Sequence, residues 1–139
     1  MAKIFPFADI STLSDASSAE VGELFEQRCL DLLDAMGYSV TRTGRSGDGG
    51  IDLRARDTRP ITGGTLIIQR KAWEAPVGEP VLRDLFGLVV SEGANKGVII
   101  ASSRFTESAY RFAGGKPLEL IDGEMLKKLE TEHPDEEQP

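Results

Sequence analysis

The chain has 139 residues with a net charge of −7, and 40% of them are hydrophobic, which fits one soluble globular domain with a single core. No run of about 18 apolar residues occurs, so a membrane span is excluded, and the first residues lack the apolar segment of a secretory signal. The single cysteine, Cys29, excludes an internal disulfide and fits a cytoplasmic protein. The single histidine, His133, disfavours histidine-based triads and zinc sites.

The first half of the chain is predicted to contain one helix and three strands. Ser17 and Glu20 form a capping-box pattern, apolar residues recur at helical spacing as far as Met36, and Gly37 ends the helix. Residues 51–56 alternate strictly between apolar and polar, as in a strand with one buried face. The other predicted segments are a strand at 38–43, a glycine-rich turn at 44–50, a hairpin loop at 57–64 and a strand at 65–72.

The second half is predicted to alternate helices and strands. Pro80 suits the first turn of a helix that ends at Gly93, and Thr106 caps a shorter helix that ends at Gly114. The remaining predicted segments are strands at 97–101 and 118–121 and one or two helical turns at 123–129. This order predicts an α/β fold in which helices cover both faces of a mixed central β-sheet.

The second strand of the predicted hairpin ends in polar residues, with Leu66–Trp73 reading LIIQRKAW. Side chains two apart in a strand share a face, so Gln69 and Lys71 point together while Arg70 points to the other side. If the two strands pair, Asp52 on the preceding strand lies close to both. A carboxylate and an amide oxygen suit Mg²⁺, which activates its bound water, and the lysine can screen charge that develops on a phosphate.

Gly47–Asp52 (GDGGID), followed after a spacer by Gln69–Lys71 (QRK), resembles the nuclease domain of Mrr-like restriction endonucleases. These enzymes belong to the PD-(D/E)xK nuclease superfamily, in a branch where glutamine replaces the usual acid. The supporting stretches are Gly22–Glu26, Met36–Tyr38, Ser103–Thr106 with Ala109 and Ala113, and Ile121–Gly123. The resemblance implies a restriction-endonuclease-like core and Mg²⁺-dependent endonuclease cleavage of DNA, of the restriction or defence type. We divide the chain into an N-terminal arm at 1–16, an Mrr-like nuclease domain at 17–129 and a disordered acidic tail at 130–139.

The resemblance also implies a role for each site residue. Asp52 is the metal carboxylate, Gln69 the variant ligand, Lys71 the catalytic lysine and Glu26 the acid on the first helix that completes the metal site, with Mn²⁺ as a substitute for Mg²⁺. Each residue also has an ordinary structural interpretation when taken alone. These interpretations are a surface ion pair for Asp52, a half-buried strand position for Gln69, a solvent-directed Lys71 and a helix-surface Glu26. Outside the site, we expect Trp73 to pack in the core or hairpin and Cys29 to pack in the core.

The charge distribution favours DNA as a partner. Between residues 41 and 73, seven basic residues stand against three acidic ones, so an acidic chain carries one basic segment. The candidate phosphate contacts are Arg42, Arg45, Arg54, Arg56 and Arg83. We further expect a homodimer, because one site cuts one strand, or a recognition partner protein, and no membrane. Two alternatives stay open: a catalytically weak DNA- or partner-binding module of the same fold, and a structure-specific nuclease of the Holliday-junction type.

Overall fold

The computed structural model describes residues 18–43 and 53–134. The helices and strands within these ranges are α1 Ser18–Ala35, β1 Ser39–Arg42, β2 Leu53–Asp57, β3 Gly64–Lys71, α2 Glu79–Glu92, β4 Lys96–Ala101, α3 Glu107–Ala113, β5 Leu118–Ile121 and α4 Gly123–Glu132. The predicted N-terminal arm, Ser17 and the glycine-rich turn lie outside the described residues. Across the two ranges, every helix is too short or too polar to cross a membrane.

The strands form one mixed sheet in the order β1-β2-β3-β4-β5. β1, β2 and β3 pair antiparallel, with Leu53 opposite Ile68 in the hairpin. β3, β4 and β5 pair parallel, with Gln69 opposite Ile99. The predicted mixed sheet is therefore confirmed, and its hairpin half adjoins a half built by β–α–β crossovers.

Strand alternation divides the core into two layers. Even-numbered residues of β3, such as Ile68, pack with Phe25 and Cys29 of α1 and Leu126 of α4. Odd-numbered residues, such as Ile67, pack with residues of α2 and α3. Because neighbouring strand residues point to opposite faces, the sheet has an α1–α4 face and an α2–α3 face. The core position predicted for Cys29 is confirmed, since it is fully buried.

Helix ends follow the signals in the sequence. Gly93 ends α2 with φ of 68°, a left-handed conformation that glycine adopts without steric cost. The Thr106 side chain accepts a hydrogen bond from the main-chain N–H of Ala109 and caps α3. Asp122 caps α4 in the same way through the N–H of Met125. These caps fix the points at which the chain leaves the sheet and enters each helix.

The last helix is longer than the sequence predicts. α4 continues to Glu132, so the prediction of a disordered tail beginning at residue 130 is wrong for its first three residues. Glu130 is buried and forms an ion pair with Arg28 of α1, with an Nη2–Oε1 distance of 2.8 Å. Local sequence does not indicate this contact, because its partner lies 102 residues away.

The β2–β3 hairpin loop is held by a local ion pair at its start. Arg59 hydrogen-bonds to both carboxylate oxygens of Asp57, at 2.9 and 2.6 Å. These side-chain hydrogen bonds, with one from the Arg59 main-chain N–H, lower the pKa of Asp57 to about 2. Further along the loop, Ile61 is fully exposed with φ of 74°.

Candidate active site

The ends of several strands lie next to one another at one edge of the sheet. β3, β4 and β5 are parallel, so Lys71, Ala101 and Ile121 end their strands together. β1 ends at Arg42, opposite the start of β2 at Leu53. We call this the carboxyl edge, defined by Arg42, Leu53, Lys71, Ala101 and Ile121. Ligand sites of open α/β sheets lie outside the carboxyl ends of their strands.

Gln69 and Lys71 reach this edge on the α2–α3 face. Gln69 is 4% exposed and lies opposite Ile99, which belongs to the α2–α3 core. Lys71 is half-buried, and its Nζ lies 5.1 Å from the ring centre of Trp73. The structure therefore brings a buried amide and an ammonium to one face at one strand end.

Glu26 occupies the other face of the sheet. Its Oε1 lies 3.2 Å from Nη2 of Arg70, and its Oε2 lies 3.3 Å from Nε of Arg42. Arg70 stands between Gln69 and Lys71 in β3, so it points to the α1–α4 face. The carboxylate is 15% exposed and bridges two guanidinium groups. In this arrangement Glu26 and Gln69 approach the carboxyl edge from opposite sides.

Asp52 lies outside the described residues. The described part of the β2–β3 ladder ends with Leu53 opposite Ile68, which are the chain neighbours of Asp52 and Gln69. Within residues 18–43 and 53–134, no three His, Cys, Asp or Glu side chains form a metal-holding cluster. The donors found near the edge are oxygens, from the Gln69 amide and the Glu26 carboxylate, and oxygen donors fit a hard cation such as Mg²⁺.

The predicted DNA-binding arginines have different surroundings. Arg54 pairs with Glu92 of α2 at 2.9 Å, and Arg83 donates from Nε to Glu79 at 2.7 Å. Arg42 pairs with Glu26, and Arg56 is exposed on β2. Arg45 lies outside the described residues. Since Arg42 ends β1, it is the described member of the set that lies at the carboxyl edge.

Sequence reasoning missed two features of the edge. The prediction that Trp73 packs in the core or hairpin is wrong, because the side chain is 42% exposed beside Lys71. The sequence predicts a metal contact for the main-chain carbonyl of Arg70 but no role for its side chain, which contacts Glu26. Strand alternation already placed Arg70 opposite Gln69 and Lys71, but the helix on that face becomes known only from the tertiary fold.

Comparison with solved structures identifies the class of fold. The chain superposes on the DNA modification-dependent restriction endonuclease AspBHI with a TM-score of 0.66 and 19% identity, covering 95% of this chain and 36% of that one. It also superposes on the MspJI restriction endonuclease, solved in complex with a 27-mer oligonucleotide, with a TM-score of 0.60 and 21% identity over 89% of this chain and 30% of that one. The domain therefore has the restriction-endonuclease-like fold, as predicted.

Sequence comparison identifies the family. The Mrr catalytic-domain model, described as restriction endonuclease, matches residues 18–129. The type IV methyl-directed restriction enzyme EcoKMrr of Escherichia coli K12 is 35% identical over 116 residues, which cover 78% of this chain. The chain spans 38% of the length of that enzyme. This protein belongs to the Mrr-type restriction endonuclease family.

Proposed function

We propose that this chain is the nuclease domain of a metal-dependent DNA endonuclease, with Mg²⁺ or Mn²⁺ bound at the carboxyl edge. The observation that carries the proposal is the pair Gln69 and Lys71, a buried oxygen donor and an ammonium on one face of the strand end. The proposal adds Asp52, which directly precedes Leu53 in the sequence, as the metal carboxylate, while the described pairing of β2 with β3 ends at Leu53 and Ile68. The membership of the Mrr-type family supports the same assignment.

In this proposal Asp52 and Gln69 supply oxygen ligands, and Mg²⁺ bound there supplies a water of lowered pKa and a positive charge beside the scissile phosphate. Lys71 donates a hydrogen bond to the attacking water or to a phosphate oxygen and screens the developing charge. Because Lys71 is half-buried, few water molecules compete for its hydrogen bond.

Glu26, which lies on the α1–α4 face, is the third ligand in the proposal. Its carboxylate is held by Arg70 and Arg42, so metal binding has to replace at least one of these ion pairs. An arginine released in this way then becomes available to a DNA phosphate at the carboxyl edge. Arg45, Arg54, Arg56 and Arg83 complete the proposed set of phosphate contacts.

A DNA substrate and the reduced Cys29 favour the cytoplasm as the site of action. Cleavage of both strands by one site per chain favours a homodimer, with a recognition partner as the alternative arrangement. EcoKMrr is a methyl-directed enzyme and AspBHI a DNA modification-dependent one. We therefore propose that methylated duplex DNA should be tested beside unmethylated DNA as the substrate of this chain.

A plasmid-nicking assay tests the proposal. Purified protein is incubated with methylated and unmethylated supercoiled plasmid and with branched DNA, each with Mg²⁺, Mn²⁺ or EDTA. We expect nicking that requires the metal and falls about 100-fold or more in Lys71→Ala, which is the usual range for loss of such a group. Lys96→Ala is the matched control, because Lys96 begins β4 at the opposite edge and pairs with Glu119 at 3.0 Å.

A second function is favoured by one feature of the site. Gln69 is neutral where an acid would add a negative ligand, which weakens affinity for Mg²⁺. A DNA- or partner-binding module would bind the plasmid without nicking it under any metal condition. Equal nicking by wild type and Lys71→Ala would also contradict the proposed role of the lysine.

A further inference from the structure

Trp73 lies beside the proposed catalytic lysine without a role in the proposed chemistry. The two residues are separated by one position at the end of β3, and the ring centre lies 5.1 Å from the Lys71 Nζ. The distance falls within the roughly 6 Å over which an aromatic face attracts a cation. Among the described residues, Lys71 forms no ion pair, so the Trp73 ring is its charge-stabilising neighbour there.

The main chain that carries the two side chains is fixed by Ser102. Its N–H donates to the carbonyl of Lys71 at 3.0 Å, and its hydroxyl donates to the carbonyl of Trp73 at 3.0 Å. One residue of the neighbouring strand end therefore holds both carbonyls. The main chain of Trp73 consequently has a defined position relative to that of Lys71, although the chain has left the regular sheet.

The hydrogen bonds between the two neighbouring chain segments continue beyond Trp73. Ser103 donates its hydroxyl to the carbonyl of Ala75 at 2.8 Å. Val77 donates its N–H to the carbonyl of Arg104 at 2.8 Å and accepts from the N–H of Thr106 at 2.9 Å. Hydrogen bonds thus hold the connection from β3 to α2 along its length, so the point from which the Trp73 side chain extends is fixed.

A lysine ammonium on four rotatable bonds samples many positions unless a neighbour selects one. A cation–π contact at a partly exposed site shifts such a population by about two- to fivefold. An apolar neighbour of similar size fills the space but lacks the negative ring face. The ring therefore supplies an orienting effect that packing alone does not supply.

We propose that Trp73 is a positioning residue that acts through Lys71, holding its ammonium at the carboxyl edge on the α2–α3 face. The proposal deepens the proposed function and rests on the role of Lys71 in DNA hydrolysis. Ser102 takes part indirectly, because it fixes the backbone from which the ring extends. Trp73 itself contacts neither the water nor the scissile phosphate in this proposal.

The first test measures the contact without any cleavage. Lysine-labelled protein is studied by NMR, and the Lys71 side-chain signals are assigned by their loss in Lys71→Ala. We expect the ε-methylene protons of Lys71 to be shifted upfield by the ring current, to move to ordinary lysine positions in Trp73→Leu, and to stay upfield in Trp73→Phe. Absence of an upfield shift in the wild type overturns the proposal.

The second test measures single-turnover cleavage and DNA affinity separately. We expect Trp73→Leu to cleave bound DNA about two- to fivefold more slowly with unchanged Kd, and Trp73→Phe to recover most of the rate. Phe86→Leu is the matched control, because it removes another cation–π contact, to Lys116 at 5.9 Å. Lys116 precedes Pro117, whose carbonyl accepts from Gly97 near the start of β4 and far from the carboxyl edge.

The results of the two tests distinguish a failure of the positioning role of Trp73 from a failure of the proposed endonuclease function. Weaker DNA binding by Trp73→Leu with an unchanged rate for bound DNA means that Trp73 contacts the DNA itself, and this overturns a positioning role. Wild-type protein that binds DNA and never cuts it refutes the proposed function, and the NMR shift alone then decides whether Trp73 holds Lys71.

Discussion

Gln69 is the residue on which the chemistry of the carboxyl edge depends most. It is 4% exposed, so whichever group occupies this position is largely removed from water. A neutral amide tolerates this burial without a counter-ion, whereas a carboxylate requires one. In the proposed metal site, the glutamine would therefore allow the domain to fold without a bound metal, at the expense of one negative ligand.

Gln69→Glu tests this account of residue 69. We expect the variant to be less stable than the wild type by about 1–3 kcal/mol in EDTA, because a buried carboxyl group lacks compensation. Mg²⁺ should raise its melting temperature more than that of the wild type and give half-maximal nicking at a lower concentration. Melting curves against metal concentration measure both effects, and identical metal responses would contradict a ligand role for residue 69.

Glu26→Gln tests the acid on α1. We expect a nicking rate at least about tenfold lower and a higher Mg²⁺ requirement, because the variant loses a charged ligand. Glu23→Gln is the matched control, since Glu23 is exposed one turn earlier on the same helix. A lower melting temperature with an unchanged metal requirement would mean that Glu26 serves only its ion pairs with Arg70 and Arg42.

At the site, the sequence predicts the faces of side chains better than their neighbours. Alternation along β3 places Gln69 and Lys71 together and sends Arg70 to the opposite face, as found. The approach of Glu26 to Arg70 depends on which helix covers that face, and no local pattern encodes this. Trp73 was misassigned because it follows the last regular strand residue, where alternation no longer predicts burial.

At the scale of elements, the helix caps and strand patterns were the most predictable features. Gly93 and Thr106 end and begin helices where predicted, because glycine and threonine act through their own local conformations and hydrogen bonds. The end of α4 was not predictable in this way, since it depends on the contact of Glu130 with Arg28.

Gly97 shows how closely α2 packs on the sheet. A Cβ at this position would lie 2.7 Å from a methyl of Val89 and 2.8 Å from Cγ of Leu85. We expect Gly97→Ala to lower the free energy of unfolding by about 1–3 kcal/mol, because overpacking forces α2 away from β4. Gly87→Ala is the matched control: a Cβ there meets nothing within 4 Å, and alanine in a helix interior should stabilise by roughly 0.5–1 kcal/mol.

Urea unfolding of the two glycine variants measures this difference. A destabilised Gly97→Ala that still nicks plasmid when folded would show that α2 packing can relax without disturbing Lys71. Equal stability of the two variants would contradict the close approach of α2 to β4.

At the scale of the whole molecule, the two helices of the α1–α4 face are joined by a buried ion pair. Arg28 and Glu130 are 8% and 6% exposed, and the guanidinium donates two hydrogen bonds to the carboxylate at 2.8 and 3.1 Å. The pair connects the beginning of the domain to its end. Arg28 lies two residues after Glu26, so the contact also fixes the part of α1 that approaches the carboxyl edge.

Glu130→Gln tests whether this ion pair maintains the domain. Removing one member of a buried pair leaves the other charge uncompensated, so we expect a loss of about 3–5 kcal/mol in the free energy of unfolding. Glu132→Gln is the control, because Glu132 is exposed on the last turn of the same helix. Urea denaturation measures the difference, and equal midpoints for the two variants would contradict a buried pair.

The same pair separates stability from catalysis. Replacing both members together, as Arg28→Met with Glu130→Leu, should recover most of the stability, because apolar residues of similar volume substitute well for a buried ion pair. We expect the folded double variant to nick plasmid at the wild-type rate, since the side-chain contact between Arg28 and Glu130 joins α1 to α4 and does not involve Gln69 or Lys71. A folded double variant with a raised Mg²⁺ requirement would instead show that the position of α1, and with it Glu26, sets the metal site.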